Sequence, residues 1–404
     1  MRFQSDPLMI GSFLVLLIAA GVGCREKNGL PSPTAPADPP RIRLSLEGSK
    51  VLRVPPPVGD DSSCMVYDSQ SRLWVFFRGW SPGTISYMVR GRDGWSKPAA
   101  IGGGKWSYIE AMTLLLDTKG RPLLIVAGYD DHTGEFVAAI HRKEKRWSTP
   151  VSIDRLQACD FVSSLAAVTD TDGVVHLVYA RRLVPKESYG IGFPMVEGAS
   201  ANKIHHVTFD GKRWSTPQAT TGRGRFYVRQ LALSAGPDNM ILVSGTVSAF
   251  TWMEHRPEHI AYQLLREGRW GSLTKLTSPG SKADGFATMD GWGHIHAWSW
   301  GSMGHWRYHW PASATADGPE PSVNGNHEYY PSPPVIKPMP GGKLAALVDE
   351  RVLVWNGAAW SAPLDLPSNG KPWSCLAAGP NGNLVAWQWH GPSLLVQNIA
   401  TAVK

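Results

Sequence analysis

Residues 165–180 read LAAVTDTDGVVHLVYA, and residues 203–217 read KIHHVTFDGKRWSTP. The first stretch is a small, apolar strand, a turn on Asp172-Gly173, and a second strand rich in Val, Leu and Tyr. The second stretch is a third strand, a turn on Asp210-Gly211, and then Trp214-Ser215-Thr216-Pro217 opening a fourth. Short runs of β-branched and aromatic residues split by Asp-Gly turns mark antiparallel hairpins. Together they read as one four-stranded unit, with strands A to D in chain order.

The unit recurs along the chain. The WSxP element returns at Trp95-Ser96, Trp147-Ser148 and Trp360-Ser361, with a degraded copy at Trp270-Gly271. The A–B hairpin returns at 64–77, 113–129, 231–245, 286–300 and 375–389. One such sheet cannot bury both faces, so stacking around a ring must supply the core. The fold class is therefore all-β, a β-propeller spanning 41–404. Seven blades are expected, at about 52 residues each; six or eight would need about 61 or 45. The last unit stops without a strand D, and the orphan strand Arg41–Pro55 can complete it and close the ring.

Composition agrees. The 404 residues include 42 Gly, 32 Pro and 18 Trp, which suits short strands and turns and excludes a helical bundle or a disordered chain. Net charge is +7, but the basic residues are scattered, so no nucleic-acid surface is expected. The Trp residues at 95, 147, 214, 270 and 360 are locked to the repeat and read as blade packing. Cys64 and Cys375 align with Thr113, Ala166 and Ala232 on the inner strands, where small residues fit. His176 and His296 share one register, three residues after a turn Gly, which also points to architecture. No CxxC spacing supports a metal site or a cofactor; calcium on acidic loop residues stays open as an alternative.

The N-terminus carries an address. Leu8–Ala20 is an apolar run after Arg2, too short to span a bilayer and suited to a signal peptide. Ala19-Ala20-Gly21-Val22-Gly23-Cys24 resembles the lipobox of bacterial lipoproteins. The resemblance implies a signal peptide over 1–23, lipidation of Cys24, and a bacterial envelope location at the outer membrane. The Pro-rich stretch 28–40 then reads as a tether, so residues 24–40 form the anchor and linker.

The propeller units resemble the sialidase-like, BNR-type propellers. Thr208-Phe209-Asp210-Gly211-Lys212-Arg213-Trp214 is closest to their Ser/Thr-x-Asp-x-Gly-x-x-Trp box, one residue short. The resemblance implies, for a sialidase, an arginine triad, an acid Asp and a Tyr–Glu pair. Arg53 and Glu328-Tyr329-Tyr330 only partly supply these.

The long insertions fall between strands B and C (181–203 and 248–258) and in the link 311–331, all on one face of the ring. Loops on a rigid scaffold are where binding sites sit. The candidate ligand-binding residues on that face are Arg78, Trp80, Tyr108, Glu110, Asp160, Arg181, Tyr227, Arg229, Trp252, Asp284, His305, Trp306, Tyr329 and Trp373. Aromatic faces with carboxylates and arginines suit a sugar. The leading expectation is a membrane-tethered, extracytoplasmic propeller, monomeric, that binds a glycan or a protein ligand. The alternatives are a carbohydrate-active enzyme (glycosidase, sialidase or polysaccharide lyase) and a protein-interaction platform in an envelope assembly. The His-rich stretch His294, His296, His305 and His309 is the sequence support for a lyase.

Overall fold

The computed structural model describes residues 41–403 apart from 54–62, 79–82, 102–105, 133, 157–159, 184–201, 221–225, 251–254, 277–284, 300–303, 309–333, 349, 368–372, 374 and 391–392. The proposed signal peptide, Cys24 and most of the tether therefore lie outside the described residues.

The chain is an all-β propeller. Among the described residues its strands form seven antiparallel sheets, labelled I to VII in chain order. Sheets I to VI are each built from consecutive strands, beginning at Ser63, Tyr108, Asp160, Phe226, Gly285 and Val335. Sheet VII joins the two ends of the chain: Cys375–Ala378, Leu384–His390 and Ser393–Val403 are followed on the outside by Ile42–Arg53. That outer strand pairs with Ser393–Val403 from Ile42↔Val403 to Arg53↔Ser393, with a bulge between Leu46 and Ser49. The pairing covers an edge that would otherwise offer free N–H and C=O groups.

One turn makes the A–B hairpins alike. In all seven sheets the residue opening the turn donates its N–H to the carbonyl four residues on, as in Asp68→Arg72, Asp170→Val174, Gly236→Met240 and Gly379→Asn383. The residue three after the opening one always has positive φ: Ser71, Gly120, Gly173, Asn239, Gly293, Gly342 and Gly382. Glycine dominates because the left-handed region is strained for a side chain.

The WSxP element has an equally local cause. Proline has no N–H, so strand D cannot run through it and breaks into short pieces. The Ser before the break repairs the ladder. Val89, His141, Thr208 and Val354 each donate a backbone N–H to the hydroxyl of Ser96, Ser148, Ser215 or Ser361, at 2.9–3.1 Å. The Trp packs onto the preceding sheet. Trp147 of sheet II meets Trp74, Phe76 and Tyr87 of sheet I edge-on, at 5.3–5.8 Å between centroids. Trp360 of sheet VI does the same to His296 and Trp298 of sheet V.

The core lies between sheets. Leu73, Val75 and Phe77 of sheet I interleave with Val385, Trp387 and Val396 of sheet VII, all nearly or fully buried. Side chains also bond across to the next sheet's backbone. The hydroxyls of Ser244 and Thr246 each accept from and donate to the inner strand of sheet V, at Ala287 and Gly285, over 2.6–2.9 Å.

Candidate functional site on the long-loop rim

Antiparallel order puts the starts of strands A, the ends of strands B and the starts of strands C at one end of every sheet. The tight A–B turns all lie at the other end. On the first end, the inner strands of three successive sheets carry a bulge: between Ile109 and Ala111, between Val162 and Ser164, and between Arg229 and Ala232. A bulge inserts an unpaired residue and re-aims its side chain, and bulges concentrate near functional sites. The residue so placed in sheet II is Glu110. Gly128 faces this bulge across the ladder, and a Cβ there would lie 2.2 Å from the Tyr108 carbonyl oxygen.

Around Glu110 the rim is aromatic and basic. Tyr108 and Tyr129 are directly opposed Cα partners, so their side chains rise on one face of the sheet. They are 52% and 40% exposed, unusual for residues of that size. Arg78, at the end of strand B in sheet I, reaches into sheet II. Its Nη1 donates to the Ile109 carbonyl at 2.6 Å and makes a long contact of 3.5 Å to the Tyr108 hydroxyl. Its Cζ lies 5.8 Å from the Tyr108 ring centre, a cation–π arrangement. Its Nε is buried with no hydrogen-bond partner among the described residues. Glu110 itself touches solvent, yet burial pushes its carboxyl up to about 7. Water reaches part of the side chain while neighbouring protein excludes it from the rest, and that partial desolvation disfavours the charged form. The loop after Tyr129 is braced: Asp131 N–H donates to Ser107 Oγ and His132 N–H to Asp130 Oδ1.

The structure thus brings together Arg78, Tyr108 and Glu110 from the predicted set, and adds Tyr129. Tyr129 sits within an apolar strand and drew no attention in sequence; only its pairing with Tyr108 marks it. Arg181 lies at the rim end of strand B in sheet III, opposite Lys203. Asp160, Tyr227 and Arg229 sit at the rim ends of inner strands by their backbone positions. Gln388, near the rim end of sheet VII, was also missed. It is fully buried, with both amide atoms unbonded among the described residues, a costly arrangement that a bound polar group would relieve.

Several expectations are corrected. Trp373 is not on the rim. It is 2% exposed and packs with Leu366, Leu376 and Ala386 between sheets VI and VII. An aromatic just ahead of an inner strand plugs the gap between blades there. His305 and Trp306 are not in a B–C loop but in strand C of sheet V, paired with Trp298 and Ala297, because that hairpin closes between Ser299 and Gly304. The B–C insertions are also shorter than read: the ladders continue to Leu183 and Phe250, with Phe250 opposite His255. Trp80, Trp252, Asp284 and Tyr329 lie outside the described residues.

The His-rich stretch is corrected too. His294 and His296 are buried on the tight-turn end, opposite the rim. His294 Nδ1 and His296 Nε2 lie 2.8 and 3.3 Å from Asp290 Oδ2, which also accepts from Trp355 Nε1 at 2.7 Å. The ligand atoms of Asp290, His294 and His296 all fall within 4.8 Å of one another, close enough to hold a metal ion. The repeat supplies another account. At the same turn position Asp68 accepts from Arg72 and Trp74, Asp117 from Arg121, and Asp170 meets His176. In each case Oδ1 takes turn N–H groups and Oδ2 takes a side-chain donor four or six residues on. The Asp290 cluster is the same turn anchor with histidine donors, and it cannot serve chemistry at the rim.

No family model matches the chain, and no curated protein matches it. Solved structures do. An ulvan polysaccharide lyase, bound to -[GlcA(1-4)Rha3S]-, aligns at 11% identity over 86% of this chain and 95% of its own, with a TM-score of 0.56. A streptogramin B lyase aligns at 11% identity over 89% and 98%, with a TM-score of 0.54. An α-L-arabinanase of Penicillium chrysogenum, complexed with arabinobiose, aligns at 10% identity over 89% and 98%, with a TM-score of 0.51. At such identities the likeness is one of fold.

Proposed function

We propose that this chain is a seven-bladed, carbohydrate-binding propeller held at the bacterial envelope by a lipid on Cys24. The observation that carries the reading is the rim cluster of Tyr108, Tyr129, Arg78 and Glu110. Two exposed aromatics, opposed across one strand ladder, offer faces for the C–H patches of a sugar ring, and the guanidinium and carboxyl beside them bond its hydroxyls. Fold neighbours that act on or hold saccharides agree with this. The seven sheets, the shared turn and the closing strand support the blade count. The signal peptide, Pro-rich tether and outer-membrane address rest on the sequence.

A glycan array followed by calorimetry on each hit tests the site. Tyr108→Ala or Tyr129→Ala is expected to weaken binding about tenfold, as befits loss of one stacking face. Unchanged affinity in both variants removes the site from the proposal. Accumulation of unprocessed precursor under globomycin, abolished as an effect in Cys24→Ala, tests the anchor.

One observation favours turnover as a second reading. Glu110, raised to about 7, is poised between acid and base at neutral pH. Product analysis on bound polysaccharides decides between the readings: cleavage that Glu110→Gln abolishes makes the chain an enzyme.

A further inference from the structure

A cavity lies on the tight-turn face, opposite the rim, in the groove where sheet I meets sheet VII. Its volume is about 450 Å³, within the range of small-molecule sites. The groove is walled by both chain ends: Glu47 of the closing strand and Asn398 of its partner on one side, Tyr67, Arg90 and Arg92 of sheet I on the other.

Its charges are unevenly answered. Arg72 also lines the groove, but its guanidinium is held by Asp68 at 2.7 Å and is spent on the turn. Arg90 donates to the neutral side-chain amide of Asn398. Arg92 is exposed and forms no ion pair among the described residues. Glu47 is the one acid in the lining. Two guanidinium groups against one carboxylate leave a single positive charge, in a lining that also holds Tyr67 and Asn383. A partly enclosed guanidinium that meets only an amide retains donors in the fork geometry that fits a carboxylate or sulfate. The neighbouring hydroxyl and amides suit a polyol.

We propose that this seam groove binds a singly charged saccharide unit, one bearing a carboxylate or a sulfate, independently of the rim site. Because the ligand touches both the closing strand and its partner strand, its binding also locks the ring at its closure. A ligand that binds only the folded state stabilises it by mass action.

The test uses the full chain with glucuronic acid, glucose 6-sulfate, glucose and inorganic phosphate, followed by calorimetry and thermal unfolding. Saturable binding of glucuronic acid or glucose 6-sulfate, with a rising Tm, is expected; which of the two binds tighter identifies the charged group. Glucose and phosphate should each bind at least about tenfold more weakly, since each lacks half of the recognition. Arg92→Gln should weaken the charged sugars about tenfold without changing the ligand-free Tm, because Arg92 supports no structural bond. Arg90→Gln should do so with some loss of Tm. Tyr108→Ala should leave this binding intact. Equal affinity for glucose, no binding of either charged sugar, insensitivity to Arg92→Gln, or loss on Tyr108→Ala would each overturn the proposal.

Discussion

The Nδ1 atom of His176 lies 3.0 Å from the Nε2 atom of His206, and their stacked rings are 5.2 Å apart. The pair continues at both ends. Trp270 Nε1 donates to His206 Nδ1 at 3.3 Å, and His176 Nε2 lies 3.1 Å from Asp170 Oδ2. An indole N–H can only donate, so His206 Nδ1 accepts. His206 Nε2 then carries the proton and donates to His176, whose own Nε2–H donates to Asp170. The chain of bonds closes only with both imidazoles neutral.

Acid should therefore weaken the fold through this pair. Burial, with the proximity of His176 adding to it, lowers His206 to about 4; burial also lowers His176, against the pull of Asp170. In the unfolded chain both titrate near 6.5. Between about 6.5 and 4 the unfolded state binds more protons, so stability falls as pH falls through that window. Urea midpoints measured from pH 7.5 to 4.5 should decline, and His206→Gln should decline less. A wild-type midpoint flat across that range would contradict the neutral pair.

Glu110 has the opposite sign. Its folded pKa of about 7 is above its ordinary value of 4.5, so between these the folded state holds the extra proton. Stability from this group is present below pH 4.5 and lost as pH rises through 7. Glu110→Gln should be more stable than the wild type at pH 8 and converge with it at pH 4. Parallel Tm curves for the two proteins would show that the carboxyl is ordinarily solvated.

Asp290 is completely buried and accepts from the N–H groups of Trp292 and His294 and from the side chains of His294, His296 and Trp355. Burial acts to raise its pKa, but the two histidine hydrogen bonds prevail and hold it well below the usual range. Asp290→Ala should cost about 3–5 kcal/mol, because it strands several buried donors. Trp355→Phe keeps the ring and removes one donor, and should cost about 1–2 kcal/mol. Denaturant unfolding gives both values, and equal losses would refute the anchor role.

The closing strand should be required for a monomer. Without residues 41–53 the strand Ser393–Val403 becomes an open edge along its whole length. The truncated protein should self-associate in size-exclusion chromatography and unfold at lower denaturant. A stable monomer would mean that the ring holds without closure.

Much of the fold is written locally. Asp-x-x-Gly turns, WSxP breaks and period-two apolar strands each act within a few residues, so Trp147, Ser148 and Gly173 have meanings that a single unit reveals. Their repetition implies stacking, and the leftover strand at 41–55 implies closure. The shared register of His176 and His296 likewise pointed to architecture, and their bonds to Asp170 and Asp290 give the reason.

The rim was legible only in part. Arg78, Tyr108 and Glu110 could be placed on it because strand order decides which end of a sheet a residue occupies. Whether a side chain faces water, a neighbouring sheet or a concavity depends on bulges and on contacts between residues far apart in sequence. That is why Trp373, read as a rim aromatic, is core, and why Tyr129, unmarked in sequence, stands exposed beside Tyr108. By itself the sequence determined the propeller and its repeating turn chemistry, because those follow from local dihedral and hydrogen-bond demands. Only the tertiary structure decided that Glu110 is the bulged residue at its strand's rim end, that Asp290 gathers donors from two sheets, and that Arg90 bonds Asn398 at the seam. Those relationships join residues as far as 308 positions apart, and no local rule reaches across that distance.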